Sequence, residues 1–137
     1  MIYKIVLSFA LVAPVFGQAL NPAVTSDNIE ENICIAGWTK TVRPSVSYTN
    51  KIKTQLLKKG GLTDASAYEL DHVVPLALGG HPTDPKNLRL QPWDGPDGAH
   101  AKDVIETRMH KLVCSGLVTL KEARTCMAVR WQDCLEK

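Results

Sequence analysis

The chain has 137 residues, 45% of them hydrophobic and 22% charged, with a formal net charge of +2. That length argues for one domain with a modest core, and the composition excludes a disordered or fibrous chain. A net charge so near zero is no nucleic-acid signature in itself, so the distribution of charge says more than its sum.

The first residues read as a leader. Lys4 is the only charged side chain before a mostly apolar run over residues 5–16, and small residues follow. This pattern predicts a signal peptide over residues 1–17, with peptidase sites open after both Gly17 and Ala19. A membrane anchor fits less well, because the run is shorter than the ~20 residues a spanning helix needs and Pro14 interrupts it. Export implies a secreted or periplasmic protein with no stable membrane insertion after cleavage. In an oxidising compartment the four cysteines, Cys34, Cys114, Cys126 and Cys134, predict two disulfides. Three pairings are open, and no CxxC spacing points to a zinc ribbon.

Residues 18–32 are polar and mixed and are expected to form a loosely held arm, followed by a single domain over 33–137. Residues 33–38 read as a short extended segment, and residues 41–44 as extended because Pro44 disfavours helix before it. Ser47 to Lys59 reads as an amphipathic helix with Ile52, Leu56 and Leu57 on its apolar face, ended by Gly60 and Gly61. Between Lys40 and Gly60 lie six basic residues and no acidic one, a pattern that suits either a polyanion partner or a solvated helix face. Leu70 to Val74 is a strand stopped by Pro75, and residues 75–86 form a long loop of the kind that often carries function. A second strand is expected at residues 88–90, then a helix over about 99–113, with Ile105, Met109, Leu112 and Val113 on one face. Thr119 and Glu122 match a capping box opening a last helix to about Cys134. Trp38, Trp93 and Trp131 could stack on bases, but tryptophans in so small a domain are expected mainly in the core.

The run Glu69-Leu70-Asp71-His72-Val73-Val74-Pro75-Leu76, the loop through Gly79-Gly80 and Asp84-Pro85, Asn87-Leu88, Gln91-Pro92 and Lys102-Asp103 together resemble the HNH endonuclease family. With Gly37-Trp38 to Arg43-Pro44, the likeness is to a subgroup of small bacterial HNH-type proteins, some of them exported, and covers about residues 33–131. The resemblance implies an α+β fold built on a ββα-metal HNH core with flanking helices, here stabilised by disulfides. It implies a metal-dependent endonuclease of low sequence specificity, acting as a monomer on nucleic acid, DNA first, and leaving 5′-phosphate and 3′-hydroxyl ends. By the same likeness His72 is the general base and Asn87 braces the loop that orients it. Asp71 and His100 would hold one divalent ion, Mg²⁺ first, with Mn²⁺, Ni²⁺ or Zn²⁺ as alternatives.

That assignment is chemically sensible. A neutral histidine with an ordinary pKa near 6.5 can accept a proton from water at physiological pH, and a hard cation takes oxygen ligands. Neighbouring strand residues point to opposite faces, so Asp71 and His72 can share a site only where the strand ends or bends. The thirteen-residue step from Asn87 to His100 exceeds the compact HNH spacing; His81 and His110 are alternatives that fit worse. Arg43 and Lys102 are candidate phosphate contacts, with surface ion pairs as the plainer alternative. A non-catalytic nucleic-acid-binding or structural module on the same ββα core is the rival reading.

Overall fold

A computed structural model describes residues 19–136. The expected leader lies outside the described residues. Four helices and one two-stranded sheet follow in the order α1 (Trp38–Val42), α2 (Val46–Lys59), β1 (Tyr68–His72), β2 (Leu88–Pro92), α3 (Ala99–Cys114) and α4 (Leu120–Arg130). The fold is therefore α+β. The strands are antiparallel, with Tyr68 opposite Pro92 and His72 opposite Leu88. Helix α2 lies against both strands, and α3 packs on α4.

Local chemistry accounts for most boundaries. Ser45 caps α2, its hydroxyl accepting from the Tyr48 N–H, and Gly60 ends it. At α4 the Thr119 and Glu122 side chains each bond the other residue's backbone N–H, the reciprocal box expected there. The segment before Pro44 differs from expectation. Residues 33–37, expected to be extended, form turns, residues 38–42 form α1, and Arg43 is extended, at φ −62° and ψ 127°. The steric effect of proline reaches one residue back, so it constrains Arg43 and leaves Val42 free to be helical.

The N-terminal arm is more firmly held than its composition suggests. Val24 is buried in the main core with Ile33, Val74, Leu78, Met127 and Trp131. Leu20 bridges to Gly80, the His81 N–H donates to the Ala19 carbonyl at 2.8 Å, and the Asn21 N–H donates to the Gly79 carbonyl at 2.9 Å. Arg124 on α4 completes the tether, donating to the Leu78 carbonyl at 2.7 Å and the Val24 carbonyl at 3.0 Å. The arm thus supports the back of the long loop between the strands.

The cysteines pair as Cys34–Cys114 and Cys126–Cys134, across 80 and 8 residues of chain. Loop-closure entropy makes the first the larger constraint on the unfolded chain. Replacing both Cys34 and Cys114 with Ser is expected to cost about 4–5 kcal/mol, against about 2–3 kcal/mol for the Cys126 and Cys134 pair. Urea unfolding of the two double variants checks the order, and equal losses would contradict it. Among the described residues no helix is long and apolar enough to cross a membrane.

Candidate active site

β1 ends at His72, so Asp71 and His72 meet the same cleft although they alternate along the strand. The cleft encloses about 480 Å³ between the sheet, α1, α2 and α3. Its walls differ in character. Arg43, Thr49, Asn50 and Lys53 form a basic and polar side, while Glu69, Asp71, Asp103 and Glu106 form an acidic one.

His72 is held by the loop that follows it. Its Nε2 lies 2.9 Å from the Pro82 carbonyl oxygen. A carbonyl only accepts, so Nε2 carries the hydrogen and Nδ1 is left with a lone pair. Burial is the main influence on the imidazole and pushes its pKa below the ordinary value. Arg43 and Lys102 act in the same direction, and the Pro82 bond and Asp71 oppose them. The ring is therefore neutral at pH 7, with a defined tautomer.

The loop owes its shape to Asn87, which is fully buried. Its Oδ1 accepts from the Val74 N–H at 2.8 Å, and its Nδ2 donates to the Val74 and His81 carbonyls, both at 3.0 Å. One amide thus ties the start of the loop to its middle, with Pro82 next along the chain. Gly80 is required by the same close packing, since a Cβ there would lie 1.8 Å from the Val74 carbonyl oxygen. His81 turns its Nδ1 to accept from the Asp84 N–H at 2.9 Å, so it is a loop-forming residue. His110 bonds the Ile33 carbonyl at 2.6 Å, away from the cleft.

One expected role fails on geometry. Lys102 is 0% exposed and cannot reach a phosphate in solvent. Its Nζ donates to Asp71 Oδ2 at 2.5 Å and to the His72 carbonyl at 2.6 Å, and lies 3.7 Å from Glu106. His100 stands at the edge of the cleft: its side chain is 65% exposed, it lies 3.9 Å from Asp94, and its ring packs against Trp93. Arg43 is exposed at the cleft rim, where a phosphate contact remains geometrically open.

Of the two residues expected to hold a divalent ion, Asp71 lines the cleft with one oxygen bonded to an ammonium, and His100 lies against Trp93, which lines the same cleft. Among the described residues no group of three or more His, Cys, Asp or Glu side chains is spaced to hold a metal. What stands beside Asp71 is the Lys102 ammonium.

Three carboxylates at this site did not stand out in the sequence. Glu69 and Asp71 are two apart on β1, and Asp103 and Glu106 are three apart on α3, so strand and helix periodicity bring each pair to one face. Burial first, and then Asp71 and Asp103, push the Glu69 carboxyl up to about 6. Burial drives Glu106 up to about 7 even though Lys102 opposes it. Burial, then Asp71, also raises Asp103.

No protein-family model, curated protein or solved structure matches the chain.

The Glu106 shift has a consequence for stability. A carboxyl raised from about 4.5 to about 7 binds a proton in the folded state that the unfolded chain has released. Its contribution is complete below about pH 4.5 and is lost as pH rises through about 7. Glu106→Gln keeps the neutral shape, so it is expected to stabilise the fold at pH 8 by on the order of 1–2 kcal/mol and to change little at pH 4.5. Thermal melts at the two pH values check this. A variant less stable than the parent at pH 8 would contradict it.

Proposed function

We propose that the protein is an exported endonuclease of HNH type that hydrolyses phosphodiester bonds of nucleic acid, DNA first, with little sequence preference. The observation that carries this reading is His72: a neutral, tautomer-fixed imidazole on the wall of a cleft that also bears Arg43 and Lys53. The order strand, long loop, strand, helix suits a ββα core, and Asn87 braces the loop as the family likeness implies.

In this reading water attacks phosphorus and gives a proton to His72 Nδ1. Arg43 offsets charge on the non-bridging oxygens, for which a planar guanidinium is well shaped. Glu106 keeps its carboxyl proton to about pH 7 and is the wall group suited to protonate the leaving oxygen. The P–O bond to the leaving oxygen breaks, leaving a 5′-phosphate and a 3′-hydroxyl. Lys102 touches no substrate; it positions the end of β1 by bonding the His72 carbonyl. The two disulfides are consistent with an exported protein.

A second reading, a non-catalytic nucleic-acid-binding module, is favoured by the Asp71–Lys102 pair and the exposed His100. Plasmid nicking by the oxidised protein separates the two, run in chelator and in Mg²⁺, Mn²⁺, Ni²⁺ and Zn²⁺. Nicked and linear products support the enzyme. A folded protein that retards DNA but cuts it under no condition supports the module.

A further inference from the structure

We infer that Trp93 and His100 form a stacking platform for an unpaired nucleobase, so that the cleft takes single-stranded or locally opened nucleic acid. The inference rests on the nucleic-acid reading above and adds the form of the strand. The three tryptophans are placed differently. Trp131 is buried in the core and Trp38 packs against it, whereas Trp93 lies at the cleft with Asp71 and His72. The His100 ring lies over Trp93 with ring centroids 5.2 Å apart and a 32° tilt. Together they present half-buried indole and exposed imidazole beside the cleft that holds the base.

The platform is built into the backbone. The Trp93 N–H donates to the Ala67 carbonyl at 3.1 Å, beside β1, and the Trp93 carbonyl accepts from the His100 N–H at 3.2 Å. The loop between them is closed by Gln91 Nε2 donating to the Asp97 carbonyl. Gly98 sits so close that a Cβ would lie 2.5 Å from the Asp94 carbonyl oxygen. An aromatic pair held this rigidly loses little freedom when a base stacks on it. Arg43 and Lys53 line the same cleft and can take the phosphates of that strand. Bases within a duplex are stacked on one another and offer no free face, so the platform selects an unpaired base. DNA and RNA bases have the same π-face, and both fit.

The test is binding, read by tryptophan fluorescence in a His72→Ala background so that turnover does not intervene. The probes are a thymidine hexanucleotide, its uridine counterpart, an abasic hexamer of equal phosphate count, and a short blunt-ended two-strand duplex. Stacking of one base predicts about tenfold tighter binding of the hexanucleotides than of the abasic hexamer. Trp93→Ala should bring that ratio close to one, with Trp93→Phe keeping most of it and the exposed His100→Ala reducing it. The salt dependence set by Arg43 and Lys53 should survive all three. Equal binding of hexanucleotide and abasic hexamer by the parent overturns the platform while leaving the nuclease reading intact. Tighter binding of the blunt duplex than of the single strands also overturns it. Absence of any binding overturns both.

Discussion

Lys102→Met is expected to destabilise the protein by about 3–5 kcal/mol, because it strips a buried carboxylate of its partner. The Lys102 side chain is wholly buried and Asp71 is 10% exposed, so water cannot readily replace the lost ammonium. Removing Lys102 also leaves Glu69, Asp103 and Glu106 facing Asp71 without a central positive charge. The double variant Asp71→Asn with Lys102→Met should recover a large part of the loss, since two neutral groups no longer impose an unpaired buried charge. The cycle is measured by urea unfolding. A Lys102→Met protein as stable as its parent, but weaker in binding oligonucleotide, would restore Lys102 as a phosphate contact and contradict its place at the centre of the site.

His72→Ala is expected to lower the cleavage rate by about 10²–10⁴-fold, the usual worth of a positioned general base. The pH dependence should identify the same group. His72 acts when neutral and its pKa is depressed, so activity should hold at pH 6.5 and fall only at lower pH. Loss of the Glu106 proton should impose a second limb near pH 7. A bell results, with its upper limb near pH 7 and its lower limb below pH 6.5. Glu106→Gln should remove the upper limb at reduced overall rate. His72 also links fold to pH in its own sense. Because its folded pKa is lowered, its contribution to stability is present above the ordinary value near 6.5 and lost as pH falls through the folded one. This opposes the Glu106 contribution, and the two variants separate them.

Much of this was legible in the chain because it is local. The cap at Thr119 and the apolar faces of α2 and α3 follow from neighbouring side chains, whereas β1 runs over Tyr68–His72, two residues earlier than the Leu70 to Val74 expected before Pro75. Asn87 was recognisable through its place in a motif, and its three side-chain bonds explain why an amide is needed. The direction of His100 was not legible because a residue in the first turn of a helix points wherever the helix start directs it, and each residue of shift turns the side chain by about 100°. With Gly98 as the residue before α3, His100 lies over Trp93 and Lys102 turns inward to Asp71. A buried lysine is rare, and nothing near Lys102 in sequence announces a partner 31 residues away. The arm over residues 19–32 looked loose because its polar side chains are mostly spent on local turns, while a few buried residues such as Val24 tie it to the core.

The measurement that most directly tests the central claim is the single-turnover cleavage rate of the oxidised protein and of its His72→Ala and His72→Gln variants, on one single-stranded substrate across pH 5–9. Cleavage by the parent, with an acid limb below pH 6.5 that vanishes along with most of the rate in both variants, is the predicted result. Cleavage that persists undiminished in folded His72→Ala would contradict the assignment of His72 as the base.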